Sequence, residues 1–303
     1  MQFMKATRKK SKLRLALTGP SGSGKTYGAL KIAKGLGGKI AVIDSEHGSA
    51  SLYANLCDYD TLELGPPYSP ERYIEAIKTA ESAGYDVIVI DSTTHEWSGT
   101  GGCLEINEQI AKSKFQGNTW SAWNVTTPRH RAFIDAMLQS SAHIIATGRS
   151  KTETAQTEGP NGKKKVVKLG MKTEQRDGFE YEFTVVLDLI HDGHFANASK
   201  DRTGLFSGDA KAITEDTGKA LRAWLESGVD APAEPPASAP TPAGFDAKAR
   251  VREVKTGIAA KDASGAATYL SGLPQDELEA IWALLSPADQ DALTAAWPQG
   301  AAA

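Results

Sequence analysis

Short apolar segments alternate with amphipathic segments over the first two thirds of the chain. Apolar runs of strand length recur in this region, at 13–18, 40–44, 87–91, 143–147 and 181–189. The apolar spacing of a helix occurs between them, at 27–36, 71–83 and 128–138. Alternation of this kind is typical of βαβ units. It predicts an α/β fold with a mainly parallel central sheet flanked by helices, followed by a late hairpin that pairs 195–198 with 204–206.

The pattern changes near residue 229. Residues 229–245 are rich in proline, alanine and serine and almost free of bulky apolar residues, which is typical of an extended linker. Helical spacing then returns at 248–259, 277–285 and 288–296, predicting a small helical domain over 246–299. Before the linker, we expect one core domain over 13–228, preceded by a basic arm over residues 1–12.

Composition and charge exclude several classes of protein. Hydrophobic residues make up 40% of the 303 residues, charged residues make up 23%, and the net charge is −3, all ordinary for a globular protein. No apolar run approaches a membrane span, and the basic start lacks the apolar core of a signal peptide. We therefore expect a cytoplasmic protein without a membrane partner. The two distant cysteines and the pair His191 and His194 predict no zinc site.

A glycine-rich segment lies between the first apolar run and the first helical segment. It fits the pattern Gly-x-x-x-x-Gly-Lys-Ser/Thr, and a strand before it and a helix after it are the context in which this pattern binds phosphate. Its backbone N–H groups and the helix N-terminus face the phosphates, while the lysine and the threonine hydroxyl serve phosphate and magnesium. We therefore expect ATP and Mg2+ at this P-loop, formed by Gly19, Pro20, Ser21, Gly22, Ser23, Gly24, Lys25 and Thr26.

Two acidic residues that follow other predicted strands are candidates for the chemistry of this site. Asp91 closes the run 87–91, and we expect it to hold magnesium together with Thr26 as a Walker B residue. Glu46 follows the run 40–44 and is the best candidate for the group that orients or deprotonates the attacking water. A surface glutamate is the alternative interpretation of Glu46, and spacing alone does not separate the two.

These motifs together resemble the RecA family over roughly residues 13–207. Ile43-Asp-Ser-Glu-His47 resembles the family strand that bears the catalytic glutamate, and Val87-Ile-Val-Ile-Asp-Ser92 resembles its Walker B strand. Among relatives, phage-encoded single-strand annealing recombinases of the Sak-four type are the most similar. The resemblance implies a RecA-like P-loop ATPase in which Glu46 is catalytic and Tyr53 stacks on adenine. It also implies a γ-phosphate sensor at Thr147, with Arg149 as the alternative.

The resemblance further implies that the active site is completed by a neighbouring copy of the chain. Lys200 and Arg202 resemble the basic pair that reaches the γ-phosphate of the next protomer, and they would act there as catalytic cations. An ordinary charged turn is the alternative. Phe3-Met-Lys-Ala6 resembles the tether with which such recombinases bind the next protomer, which makes Phe3 and Ala6 candidate oligomerisation residues.

Two long loops are expected after the strands that end at Asp91 and Thr147, and in RecA proteins such loops hold DNA. The region 98–124 offers aromatic faces for base stacking beside positive charge, and 151–176 has the composition of a basic hairpin. Alternatively, the aromatic residues of 98–124 are buried anchors of helices, and 151–176 is a basic surface loop without function. The candidate DNA-binding residues are Lys112, Lys114, Trp120, Trp123, Lys151, Lys163, Lys164, Lys165, Lys168, Lys172 and Arg176.

The function expected from the sequence is an ATP-dependent recombination protein that binds single-stranded DNA, with DNA-stimulated ATP hydrolysis. Its expected partners are single-stranded DNA and further copies of itself, and a single-strand-binding protein is a candidate partner of the C-terminal helices. The alternative function is a helicase loader or packaging motor that acts on a protein partner. Deletion of residues 229–303 separates the two functions. Lost partner binding with DNA-independent ATP hydrolysis favours the loader, whereas retained DNA-stimulated hydrolysis favours the recombination protein.

Overall fold

The computed structural model describes residues 5–158, 164–229, 247–260 and 262–297, and for 152–171 and Asp276 it describes the backbone alone. The chain divides into two compact units, Met1–Asp230 and Ala231–Ala303. Apart from Val229, the linker expected over 229–245 lies outside the described residues. Each unit has its own apolar core.

The first unit is built on one central sheet. Its strands follow the order β3-β2-β4-β5-β1-β7-β8-β9, and β6 pairs with β5 alone. The strands from β3 to β7 in this order are parallel, whereas β8 and β9 are antiparallel. The bounds are β1 (Arg14–Gly19), β2 (Ile40–Asp44), β3 (Asp60–Glu63), β4 (Val87–Asp91), β5 (His143–Glu158), β6 (Lys164–Thr173), β7 (Val185–Leu189), β8 (Phe195–Asp201) and β9 (Lys211–Ala212).

Helices cover both faces of this sheet. The alternation of side chains along each strand sends Leu15 and Leu17 of β1 to one core and Ala16 to the other. The first core includes α1 and α6, and the second includes α2 and α5. This three-layer arrangement confirms the predicted α/β fold. The helices of this unit are α1 (Lys25–Leu36), α2 (Pro70–Ser82), α3 (Thr94–Ser98), α4 (Cys103–Lys114), α5 (Thr119–Gln139) and α6 (Glu215–Glu226).

The sheet brings the predicted motifs to one edge. β2 and β4 pair in parallel, with Asp44 opposite Asp91. β1 and β5 also pair in parallel, with Leu17 opposite Thr147. The P-loop follows β1 directly, and Glu46 comes two residues after β2. Because the carboxyl ends of parallel strands meet at the same edge, this is where an open α/β sheet binds ligands.

The region 98–124 is helical, which corrects the prediction of a long loop. It forms α4 and the start of α5, and Cys103, Ile106 and Ala122 are buried there. The prediction that a helix starts at Pro128 is also wrong, because α5 begins at Thr119 and continues through the proline. Packing of buried residues on both sides of Pro128 stabilises this helix against the loss of one backbone hydrogen bond.

The later strands differ in part from the predictions. β5 extends past Thr147 and pairs with β6 as an antiparallel hairpin, so the hairpin predicted between 151 and 176 is present. The hairpin predicted with 204–206 is wrong, because β8 pairs with β7 and β9. There the Asp201 carboxylate accepts the N–H groups of Thr203 and Phe206, which fixes a turn. The strand predicted from 181 begins at Val185, after a short 3-10 helix.

The amino-terminal arm packs along the end of α6. Lys9 and Val229 form a parallel β-bridge, and the Lys10 N–H donates to the Val229 carbonyl at 2.9 Å. The Arg8 guanidinium lies over the Trp224 ring, 4.8 Å from its centre. These contacts attach the basic residues of the arm to the first unit.

The second unit is a group of four helices within its described residues. They pack around a small core that includes Leu270, Ile281 and Leu293, which confirms the predicted C-terminal helices. α8 was not predicted, because its segment has few bulky apolar residues. No helix of the described parts of the chain combines the length and apolar character needed to cross a membrane. The helices are α7 (Ala247–Ala259), α8 (Ala263–Ser271), α9 (Gln275–Trp282) and α10 (Pro287–Ala295).

Candidate nucleotide site and adjoining groove

The P-loop owes its path to glycine at the positions where a side chain would clash or strain the backbone. A Cβ on Gly19 would lie 2.5 Å from Ser23 Oγ and 2.9 Å from the Leu189 carbonyl oxygen. Gly24, which precedes the first residue of α1, has a φ of 89°, a conformation that favours glycine. The loop therefore ends directly at the N-terminus of α1, whose free N–H groups attract phosphate.

Two hydroxyl side chains converge on the carboxylate of Asp91, the predicted Walker B residue. Asp91 is buried, and its Oδ2 accepts from Thr26 Oγ1 at 2.6 Å while its Oδ1 accepts from Thr147 Oγ1 at 2.5 Å. Burial raises the pKa of Asp91, and the two hydroxyls oppose that rise. Thr26 and Asp91 thus form a compact set of oxygen ligands, which suits Mg2+. Thr147 contacts the carboxylate and so belongs to the same site.

The lysine of the P-loop lies within reach of the phosphate position. Lys25 Nζ donates to the carbonyls of Gly19 and Pro20 at 3.1 and 2.9 Å. Burial lowers its pKa, opposed by the charges of Asp91 and Glu46. The buried Ser23 hydroxyl has no hydrogen-bond partner among the described residues. An unpaired buried hydroxyl at the loop, together with this lysine, fits a nucleoside triphosphate whose phosphates would lie along Ser21 to Lys25.

Glu46 is held by contacts from three elements. Its Oε1 accepts from Arg149 Nε at 3.1 Å and from Ser92 Oγ at 3.0 Å, and its Oε2 also accepts from Arg149. Its backbone N–H donates to Asp44 Oδ1 at 2.6 Å. Burial by itself would raise the pKa of Glu46. The hydrogen bonds from Arg149 and Ser92 and the positive charge of Arg149 outweigh this effect, so the pKa is lowered. Glu46 is therefore an ionised carboxylate at the sheet edge.

Several residues around Glu46 have no counterpart in the sequence predictions. Ser45 Oγ lies 2.9 Å from His95 Nδ1 and accepts the Ser92 N–H at 2.9 Å. The His95 ring stacks on Tyr68 with centres 4.9 Å apart. Burial lowers the pKa of His95. The position of Ser92 directly after Asp91 is a signal that could have identified it, whereas His95 is brought here only by the fold.

Tyr53 ends a short 3-10 helix beside the P-loop helix. Its ring meets Tyr27 edge to face, with centres 5.9 Å apart, and Lys31 lies over Tyr27. Tyr27 follows Thr26 directly, so this aromatic pair is at the start of α1. Adenine stacking, the role that the resemblance implies for Tyr53, stays a prediction.

The predicted inter-protomer residues lie apart from the P-loop of their own chain. Lys200 is opposite Val186 in the register of β8 and β7, and its Nζ donates to the carbonyls of Glu180 and Tyr181. Burial lowers the pKa of Lys200, and the charge of Arg202 adds to this. The Arg202 N–H donates to the Thr184 carbonyl at 3.1 Å. Ala6 is exposed, and Phe3 lies outside the described residues.

Comparison with known proteins identifies the family of this chain. A family model described as an AAA domain, AAA_24, matches residues 11–216. The chain belongs to this AAA domain family. None of the curated proteins compared with the sequence matches it. Among solved structures, the crystal structure of the RadB recombinase is similar with a TM-score of 0.37 and 16% identity, over 70% of this chain and 90% of that chain.

Membership of the AAA domain family, together with the P-loop geometry, makes this chain a P-loop ATPase, as predicted. The matched range includes the P-loop, Glu46, Asp91 and Thr147. The edge of the sheet that bears the P-loop therefore lies within the family domain. The C-terminal helices lie beyond the matched range.

A groove of about 1110 Å³ adjoins this edge of the AAA domain, between α3, α5 and the root of the β5–β6 hairpin. The Trp97 and Trp123 rings stack with centres 5.5 Å apart, and the Arg176 guanidinium lies 5.4 Å from the centre of Trp123. Trp120 is 86% exposed. The groove thus presents aromatic faces beside a cation. It brings together five of the predicted DNA-binding residues: Trp120, Trp123, Lys151, Lys172 and Arg176.

The other predicted DNA-binding lysines are distributed differently. Lys112 and Lys114 are exposed in the last turn of α4 and do not line the groove. Lys151 and Lys172 lie 4.0 and 2.7 Å from the carboxylates of Glu174 and Asp177, so part of their charge is neutralised. Lys163 lies outside the described residues, and the structure describes Lys164, Lys165 and Lys168 by their backbone in β6 alone.

A buried polar cluster fixes the hairpin root against the helices. The Glu96 carboxylate of α3 lies 3.1 Å from Cys103 Sγ and 3.1 Å from His130 Nδ1, and it accepts from Gln175 Nε2 at 3.4 Å. Burial raises the pKa of Cys103, so the thiol stays protonated and can donate. Because these residues come from three helices and the hairpin root, the cluster sets the position of the groove. Sequence reasoning did not identify it.

Proposed function

We propose that this chain is an ATP-hydrolysing recombination protein that binds single-stranded DNA and promotes annealing of complementary strands, as phage annealing recombinases do. The groove is the observation that best supports this proposal. Exposed Trp120, the stacked pair of Trp97 and Trp123 and the cation of Arg176 offer what single-stranded DNA requires. Bases stack on aromatic faces, and basic side chains neutralise the phosphates.

β5 supports a coupling between DNA and ATP in this proposal. Thr147 of this strand donates to Asp91, and Arg149 donates to Glu46. The strand then continues into the hairpin beside the groove. Lys151 at the groove is only ~13 Å along the strand from Thr147, given about 3.3 Å per residue. DNA bound in the groove would therefore act on the residue that holds Glu46, and we expect it to stimulate ATP hydrolysis.

Assembly through the ATP site is the second part of the proposal. Lys200 and Arg202 lie towards the amino end of β7, away from the edge that bears their own P-loop. We propose that they supply positive charge to the γ-phosphate of a neighbouring copy, with Mg-ATP bound at the interface. Phe3 and Ala6 would then tether adjacent copies.

The proposal is tested by measuring ATP turnover and single-stranded DNA affinity of the purified full chain. We expect DNA to raise turnover, and Trp120→Ala to weaken DNA binding by about 5- to 100-fold, since stacking contributes ~1–3 kcal/mol per base. Tyr269→Ala, at an exposed tyrosine of the C-terminal unit, is the matched control. Glu46→Gln should lower turnover by about 10²- to 10⁴-fold with ATP binding retained, and Lys25→Ala should lose ATP binding.

Two results would contradict the proposal. If the wild-type chain neither binds single-stranded DNA nor hydrolyses ATP faster in its presence, the recombination function is wrong. If Tyr269→Ala weakens DNA binding as much as Trp120→Ala, the groove is not the binding surface.

A further inference from the structure

The turn between β7 and β8 lies against the P-loop. β7 is the parallel neighbour of β1, with Leu17 opposite Leu187 and Thr18 opposite Asp188. The chain therefore leaves both strands at the same edge of the sheet. The carbonyl oxygen of Leu189 is within 2.9 Å of the position that a Cβ on Gly19 would occupy. The residues that follow Leu189 must then pass beside the phosphate loop.

Two histidines of this turn face the glycines of the P-loop. His191 Nε2 lies 3.4 Å from the position of a Cβ on Gly22, and His194 Nδ1 lies 3.5 Å from that of a Cβ on Gly24. The two rings are 6.4 Å apart between centres. Both side chains are exposed, so each imidazole has one side against the loop and another open to a bound ligand.

The backbone of the turn holds the two rings in this position. Gly193 has a φ of 78° and His194 a φ of 51°, both in the left-handed region. A Cβ on Gly193 would lie 2.5 Å from Cε2 of the Phe195 ring, so the turn has no room for a larger residue there. His191 Nδ1 is 3.6 Å from the carboxylate of Asp192, which leaves Nε2 directed at the P-loop.

We propose that His191 and His194 contact the phosphate chain of the nucleotide bound at the P-loop. The P-loop backbone surrounds the phosphates, so ring nitrogens that would contact a Cβ on Gly22 or Gly24 lie beside the phosphate-binding loop. An imidazole donates an N–H in its neutral form and two when protonated. The pair therefore adds donors on the β7 side of the site, apart from Lys25. The inference rests on the nucleotide binding that the proposed function requires.

Equilibrium binding to the full chain tests this contact, with Mg-ATP and inorganic tripolyphosphate as separate ligands. The double variant H191A/H194A should weaken the binding of both ligands by at least about tenfold, because the loss of even one hydrogen bond to a charged group lowers affinity by about that factor. H191Q/H194Q retains donors and should recover part of the affinity. Asn197→Ala is the matched control, because Asn197 is an exposed residue of β8 in the same hairpin. It should bind both ligands as the wild type does. The melting temperature of every variant should be unchanged.

Three outcomes would overturn the contact. The first is that the double alanine variant binds both ligands with the affinity of the wild type. Weaker ATP binding with unchanged tripolyphosphate binding is the second, because it would move the contact from the phosphates to the nucleoside. Equal losses in the alanine and glutamine variants with a lower melting temperature are the third, because they indicate a structural role. If the wild type itself binds nucleotide no better than Lys25→Ala, the proposed function fails instead.

Discussion

Arg149 and Glu46 are 103 residues apart in the chain and meet through two hydrogen bonds at the edge of the sheet that bears the P-loop. The arginine lies at the start of the hairpin, where its N–H donates to Thr94 Oγ1 and its carbonyl accepts from the Glu174 N–H. A carboxylate engaged by a guanidinium is less available to orient or deprotonate water. The contact therefore restrains Glu46, and any movement of the hairpin root acts on it.

Replacing Arg149 with alanine should raise ATP turnover in the absence of DNA. The pair is partly exposed, so its loss should be worth ~1 kcal/mol, which corresponds to about a fivefold faster reaction if the restraint limits the rate. Steady-state ATP turnover without DNA measures this effect. Arg149→Lys keeps the charge but not the two-point contact, so its turnover should lie between that of the wild type and that of Arg149→Ala. A lower turnover for Arg149→Ala would contradict the restraint and make the arginine a direct contact of the γ-phosphate.

At the scale of elements, α1 and α6 approach each other through two glycines. A Cβ on Gly35 would lie 2.0 Å from the Glu215 carbonyl oxygen and 2.8 Å from Gly218 Cα. Lys34 and Glu215 form an ion pair beside this contact. Because α1 begins at the P-loop, the packing of α6 on its last turns helps to fix the direction of the helix that faces the phosphates.

Gly35→Ala should force the two helices apart and destabilise the first unit. Overpacking of this kind costs ~1–3 kcal/mol, more than the gain in helix propensity from alanine. The midpoint of urea unfolding, followed by tryptophan fluorescence, measures the change. Gly65→Ala is the control, since no atom lies within 4 Å of the added methyl group. Equal stabilities of the two variants would show that the helices can separate without cost.

At the scale of the molecule, the chain consists of two units with separate apolar cores. The residues of the nucleotide site and of the groove described above all lie before residue 230. The second unit has its own buried residues, such as Leu270 and Leu293. The chemistry is therefore built within the first unit.

A variant that ends at residue 230 should fold and keep its ATP affinity within about twofold, because the described contacts of the nucleotide site lie within it. Its DNA-stimulated turnover should also persist. Circular dichroism, ATP binding and turnover with single-stranded DNA check this. Loss of a protein partner together with ATPase activity that ignores DNA would favour a loader or packaging motor, the alternative that the sequence leaves open.

The amino-acid sequence by itself determined the P-loop, the run of β2 at 40–44 and the run of β4 at 87–91, with the acidic residue beside each. These features depend on local chemistry: glycines permit a tight turn, and short apolar runs are typical of buried parallel strands. The family core and the separate C-terminal helices followed from the same patterns.

Tertiary structure alone decided which distant side chains meet. Arg149 contacts Glu46, and the turn with His191 and His194 lies beside the P-loop. Both contacts arise because parallel pairing of β1 with β5 and β7 brings the ends of these strands together, although they are far apart in the chain. The helical form of 98–124 was also decided by packing, since its buried side chains override weak local signals. Local rules place each element, and long-range pairing of strands determines the site they form.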